Sequence, residues 1–330
     1  MQGSGNRNAR FSASVKKGVS NEKLNTVSAG RKTVSMEQKE KKLAVILIAP
    51  AVIYLILIMG LPLIWAVYTS LTDKVIGAAQ VNFVGLSNYI EIIKDPVFQK
   101  SLLNTFIFAF FAVMGKVILG MIMALAMNQP VRGRGGIRVA MILPWTIPTI
   151  VSVFAWQWIY SDVGGALNRI LMVLHITDHQ IGWLSTTSMA MFSVILVNIW
   201  RGTPFIAISV LAGLQNISPD LYEAASLDGA NVIQRFLYVT LPSVKEVIIL
   251  SAFVTTVWTL NDFEIVWCMT RGGPSHATEL VSTYSYIQGF MNSNIAKSVA
   301  ASLILVPILV VLVHYINKII IIGRIRRKGE

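Results

Sequence analysis

Long apolar runs separated by short polar segments dominate the pattern along this chain. After a polar stretch over residues 1–42, apolar runs lie near 43–71, 102–127, 137–160, 188–214, 247–269 and 298–322. Each exceeds the ~20 residues that a helix rising ~1.5 Å per residue needs to cross ~30 Å of hydrocarbon. Lipid cannot hydrogen-bond bare backbone, so such runs are predicted to be helices. The pattern predicts an all-α integral membrane protein with six transmembrane helices. Pro50, Pro62, Pro144, Pro148, Pro204 and Pro307 fall inside the runs and are predicted to kink or interrupt them.

Between the fourth and fifth runs, residues 217–242 follow a different rule. Ser218 is a cap for a helix, Pro219 suits its first position because the missing N–H would be unpaired there, and Asp220 opposes the positive end. Leu221 to Asp228 make about two turns, and Gly229 supplies the left-handed residue that closes them. A second short helix is predicted to follow and to stop at Leu241-Pro242. The pair is too short to cross a bilayer, and with Leu221, Tyr222, Leu227, Phe236 and Leu237 it is too apolar to stand alone. It is built to dock.

Composition agrees with the membrane reading. Of 330 residues, 54% are hydrophobic and only 13% are charged, which excludes a soluble globular protein. The single cysteine, Cys268, excludes an internal disulfide framework, and no Cys/His spacing suggests a metal site. The net charge of +12 sits in the two tails and one short loop, so it reports orientation in a membrane rather than binding to nucleic acid. Segments on one side of the six runs carry twenty Lys and Arg, against six on the other. This asymmetry places both termini, and residues 217–242, in the cytoplasm. Residues 1–42 carry ten Lys and Arg against three Glu and too few apolar side chains for a core, so a disordered tail is predicted. No cleavage pattern follows it, and the first run is predicted to be an uncleaved anchor.

Glu223-Ala224-Ala225, then Gly229, then Val239 and Leu241-Pro242, resemble the "EAA loop" of bacterial ABC importer permeases. Only Val239 departs, where the family usually has Ile. The resemblance implies a permease domain over 43–330 in which 217–242 couples to a cytosolic ATPase through Glu223, Ala224, Ala225, Gly229, Leu241 and Pro242. The outer segments are similar to the sugar-type subgroup: Asn82 to Tyr89, Asp95 to Phe98, Asn104-Thr105, Leu143-Pro144-Trp145 and Arg271-Gly272-Gly273-Pro274. The likeness is closest to the larger, maltose-type member of a two-permease pair. It implies a multi-pass protein of the bacterial cell membrane, with a second homologous permease, two copies of an ATP-binding subunit and an extracytoplasmic substrate-binding protein as partners. ATP and Mg belong to the ATPase, and this chain carries no cofactor of its own.

Charges inside apolar runs are costly and mark candidate sites. Lys116, Arg201, Asp262 and Glu264 qualify. Asn198, Arg201 or Gly202, and Phe205 share one helical face, and Thr255, Trp258, Thr259 and Asp262 share another. These faces combine amide, hydroxyl, carboxylate and aromatic groups, the chemistry that binds a sugar ring. In maltose-type relatives the mid-membrane pocket comes from the same places. Asn198 and Gly202 keep the residue types found there, Phe205 and Trp258 keep an aromatic, and Thr255 keeps a hydroxyl. Thr259 and Asp262 replace amides, and Arg201 replaces an aliphatic. Arg201 either contacts substrate or forms a buried ion pair with Asp262. Lys116 has no partner that the sequence identifies. Trp145, Trp156, Trp158, Tyr160 and Trp183 either belong to the aromatic belt and to packing, the commoner role, or form a sugar platform.

No glycine stands where a phosphate-binding loop ending at Lys116 requires one, and His175, His179, His276 and His314 are scattered. The sequence therefore predicts a transporter subunit without its own ATPase or other catalytic site. The alternative is a secondary transporter using Asp262 or Glu264 for proton coupling, which leaves the 217–242 motif unexplained. Which carbohydrate is carried stays open.

Overall fold

A computed structural model describes residues 40–41, 43–130 and 133–328. The predicted tail lies outside them except for Glu40 and Lys41. The described residues are almost entirely helical and contain no strand, only one isolated bridge between Thr72 and Phe83. By length and composition, five helices and one sharply bent pair are able to cross a membrane.

The chain divides into two compact units at Ala66–Val67. The first contains most of helix α1 (Leu43–Ser70), and none of its described residues is buried. The second contains α2 (Ser87–Lys94), α3 (Pro96–Asn128), α4 (Arg134–Thr146), α5 (Thr149–Ile159), α6 (Ala166–Val173), α7 (Thr187–Gln215), α8 (Pro219–Leu227), α9 (Val232–Leu260), α10 (Glu264–Thr270), α11 (Val281–Tyr286) and α12 (Ile295–Lys328).

Proline acts in three ways. Pro148 breaks the third run. Pro disfavours helical backbone in the preceding residue, and Ile147 is extended at φ −72°, ψ 134°. Helices α4 and α5 consequently meet at 95°. Pro62 and Pro242 do not break their helices. Each follows a π-helical turn, Ile56–Gly60 and Phe236–Thr240, in which the next leucine N–H reaches back five residues, Leu61 to Ile56 O and Leu241 to Phe236 O. The wider turn accommodates the ring that an ordinary α-turn would reject. The second helix of 217–242 thus continues through Leu241-Pro242 instead of stopping there, and α9 runs unbroken from Val232 to Leu260. Pro50, Pro204 and Pro307 lie within continuous helices.

The fifth run, expected as one helix over 247–269, is divided at Asn261–Phe263. Asp262 Oδ1 accepts from the Ile265 N–H, which starts α10 afresh. Short Asn and Asp side chains compete with the helix ladder in this way.

Helices α3 and α7 form the centre of the second unit. A Cβ at Gly120 would lie only 2.6 Å from Ile206 Cγ2, so the bare glycine permits this close approach. Small residues have that role where lipid removes any hydrophobic drive between helices. Phe108, Ala112, Val194 and Val197 pack with Val153, Ile265 and Val266 around one part of the pair. Ala124, Met127, Ile206 and Val210 pack around the other.

The loop residues that resemble the sugar-type subgroup turn out to hold the connections. Asn88 Nδ2 donates to Ser70 O and Thr72 O at 2.8 and 2.7 Å. Asp95 caps α3 at Val97 and accepts from Tyr284 Oη at 2.7 Å. Asn104 Nδ2 donates to the carbonyls of His276 and Glu279, and Thr105 Oγ1 accepts from the Val281 N–H.

Candidate functional site

All eight residues of the two sequence-derived faces come together. Asn198, Arg201, Gly202 and Phe205 from α7, and Thr255, Trp258 and Thr259 from α9, line one cavity of about 410 Å³ with Asp262. Asp262 belongs to the break after α9 and not to the helical face on which the pattern placed it. The chain breaks at Ile147–Pro148 and Asn261–Phe263 flank the cavity, whose remaining lining includes Lys116, Trp145, Thr149, Asn261, Phe263 and Glu264. Irregular backbone at membrane depth is tolerated where it is buried or lines a polar cavity.

The polar wall is organised around two ties. Asn198 Nδ2 donates to Asp262 Oδ2 at 2.7 Å, fastening α7 to the break after α9. Lys116 crosses from α3 and its Nζ donates to Thr259 Oγ1 at 2.9 Å. Gly202 makes this crossing possible, because a Cβ there would lie 2.6 Å from Lys116 Cε. Among the described residues no ion pair joins Arg201 to Asp262, so the expected alternative of a buried pair is not formed. Arg201 Nε, Asn198 Oδ1 and Thr255 Oγ1 are buried without hydrogen-bond partners. Unpaired buried polar atoms are uncommon and costly, and the residues of these three line one cavity.

The aromatic wall is a row. Trp145 and Phe205 have ring centroids 6.1 Å apart, and Phe205 and Trp258 lie 4.9 Å apart. Of the aromatics open to either role, Trp145 lines the cavity. Tyr160 does pack, between Trp156 and Trp183 at 5.2 and 5.7 Å.

The second candidate site is the elbow formed by α8 and the start of α9. The Asp220 N–H donates to Ser218 Oγ, and Pro219 occupies the first turn. Gly229 has φ 79°, and the Ala230 N–H returns to Ala225 O at 2.9 Å, closing α8 as predicted. Asn231 and Gln234 form a reciprocal capping box that starts α9, a cap the sequence displayed but the reading missed. Tyr222 Oη and Thr240 Oγ1, 3.0 Å apart, and Arg235 Nη1 donating to Ser226 Oγ at 3.0 Å hold the two arms together. Glu223 and Ala224 are exposed and Ala225 half-buried, while Leu241 and Pro242 sit just past the π turn. The elbow exposes large apolar side chains: Leu227 is 89% exposed, and Val232, Ile233 and Tyr238 are also open.

Residues 116–321 match the family described as "Binding-protein-dependent transport system inner membrane component". The chain is 35% identical over 254 residues to the trehalose/maltose transport system permease protein MalF of Thermococcus litoralis, covering 77% of this chain and 85% of that one. It is 33% identical over 246 residues to the sulfoquinovosyl glycerol transport system permease protein SmoG of Agrobacterium fabrum, covering 74% and 79%. A bacterial ABC transporter that imports alginate has the same fold, at a TM-score of 0.73 and 21% identity over 85% of this chain and 96% of that one. The chain therefore belongs to the inner-membrane components of binding-protein-dependent transport systems, the multi-pass permease subunits of ABC transporters.

Proposed function

We propose that this chain forms half of the translocation pathway of an ATP-driven importer for a carbohydrate. The observation that carries the reading is the cavity, which an aromatic row of Trp145, Phe205 and Trp258 lines together with Asn198 and Thr255, each bearing an unpaired polar atom. Aromatic faces suit the apolar side of a pyranose ring, and amide and hydroxyl groups suit its rim. The volume falls within the roughly 300–1,000 Å³ of small-molecule sites. The named relatives that carry trehalose, maltose and sulfoquinovosyl glycerol support a glycoside as cargo.

Both termini and the elbow lie in the cytoplasm and the protein in the inner membrane on this reading, which the twenty-to-six asymmetry in Lys and Arg supports. In the cytoplasm the elbow's exposed apolar side chains dock into a groove of the ATPase, with Glu223 facing a cation of that partner. A second permease completes the cavity, two ATPase copies bind ATP and Mg, and an extracytoplasmic binding protein delivers the sugar. This chain hydrolyses nothing itself.

The test is reconstitution in proteoliposomes with the partner subunits, ATP inside and sugar-loaded binding protein outside. Uptake is expected to require ATP and to be unaffected when the proton gradient is collapsed. Uptake that follows an imposed proton gradient without ATP refutes the reading.

A further inference from the structure

The cavity holds two cations that its own chain does not neutralise by contact. Lys116 is 4% exposed, and its one hydrogen bond goes to a neutral hydroxyl. That hydroxyl donates its own proton to Thr255 O at 2.7 Å, so it acts toward Lys116 purely as an acceptor. Arg201 forms no ion pair among the described residues, and its Nε is buried without a partner. Asp262 lines the same cavity but makes no contact ion pair with either: it accepts from Asn198 through one oxygen and from the Ile265 N–H through the other. Glu264 also lines the cavity, but it is exposed, sits in the first turn of α10 and forms no ion pair with either cation among the described residues. The cavity wall therefore presents N–H donors from two cations, neither of which forms an ion pair with a carboxylate among the described residues.

Buried charges at membrane depth are retained where they pair or read a passing ligand. We infer that Lys116 and Arg201 bind an anionic substituent, so that the carbohydrate is acidic, carrying a carboxylate or a sulfonate. This rests on the carbohydrate reading and narrows it. The aromatic row takes the ring, Asn198 Oδ1 and Thr255 Oγ1 accept from its hydroxyls, and the two cations take the oxyanion. Arg201 offers a planar fork for that group, whereas Lys116 acts as a point charge held in place by Thr259 and by the space above Gly202.

The experiment measures ATP hydrolysis and uptake by the reconstituted transporter with a uronic-acid disaccharide, its carboxyl-reduced neutral counterpart and a sulfonated glycoside. The wild type is expected to respond to at least one acidic sugar and to discriminate against the neutral one. Arg201→Leu and Lys116→Met are each expected to raise the half-saturating concentration of the acidic sugar by at least about tenfold, as loss of a buried charge contact does. Their effect on any residual response to the neutral sugar is expected to be much smaller. Arg201→Lys, which keeps the charge, is expected to recover part of the response and so to separate recognition from misfolding. A wild type that responds to the neutral disaccharide and ignores both acidic sugars overturns this inference while leaving the carbohydrate reading intact. Equal impairment of acidic and neutral transport by Arg201→Leu, with no recovery in Arg201→Lys, also overturns it. A transporter that responds to a non-carbohydrate solute and to none of these sugars overturns both.

Discussion

The cavity and the elbow depart from the ordinary pattern of a membrane protein in opposite directions. In the cavity Lys116 is buried and Arg201 half-buried among helices that are otherwise apolar. Around Gly229, the apolar side chains of Leu227, Val232, Ile233 and Tyr238 stand open beside exposed polar residues. Neither arrangement favours the isolated chain, since unpaired buried polar atoms and bare apolar surface both cost free energy. Each makes sense with a partner of complementary character: a polar solute for the cavity, a protein groove for the elbow. The two sites also differ in how they are built. The elbow is held by local caps within 218–240, whereas the cavity depends on contacts such as Lys116 to Thr259, which join residues 143 positions apart.

The largest effects are expected where the comparison is broken outright. Gly229→Val places a β-branched residue at φ 79°, at a cost of about 1–3 kcal/mol. Its Cβ meets nothing within 4 Å, so the damage stays in the backbone of the elbow. Gly229→Val and Glu223→Lys are expected to reach the membrane in normal amounts yet reduce uptake to background, with weaker co-purification of the ATPase. Wild-type uptake in both variants would remove the elbow from the coupling role.

A smaller effect is expected at Gly202. Gly202→Val drives new atoms into Lys116, and such overpacking typically costs about 1–3 kcal/mol. Thermal unfolding of the purified complex is expected at lower temperature, and Lys116→Ala in the same chain restores much of the loss. A double variant no better than the single one would show that Lys116 is not what fills the space. At the elbow no such pairing exists, so Gly229→Val is expected to gain nothing from truncating a neighbour.

The smallest effect belongs to a contact outside both sites. Lys297 Nζ lies 2.7 Å from Glu91 Oε2, and both side chains are substantially exposed. Hydrogen bonding to Lys297, then to Ser87, holds the Glu91 carboxyl below its ordinary range. A depressed carboxylate stabilises the fold above its unfolded pKa, and that contribution is lost as pH falls through the lowered folded value. Exposed pairs contribute at most about 1 kcal/mol and fade with salt. Glu91→Gln is expected to change unfolding slightly near neutral pH in dilute buffer, and not at all in acid or at high salt. A shift as large as that of Gly202→Val would place this contact among the elements that hold the bundle together.

The sequence reveals the spans well because hydrocarbon imposes a length, and the helices begin and end within a few residues of most apolar runs. The elbow was equally legible, since Ser218, Pro219 and Gly229 act on their immediate neighbours. Four features were not. The break at Asn261 hides in an apolar average, although Asn261-Asp262 ahead of Glu264 is a recognisable helix start. Pro242 reads as a stop unless the π turn before it is known. The partner of Lys116 and the place of Trp145 require tertiary contacts, which no local pattern carries.

The continuity of α9 has a mechanical consequence. Its 29 residues form a single lever about 43 Å long at ~1.5 Å per residue, with Val232 at one end and Trp258 and Thr259 near the other. Helical hydrogen bonding is interrupted along it only by the π turn at Phe236–Thr240, so that turn is the natural fulcrum. From there to the cavity is about 30 Å, so a tilt of about 5° displaces Thr259 by about 2.6 Å. That is nearly the length of the bond it makes with Lys116. A small stroke at the short arm is therefore sufficient to break the grip of the long arm.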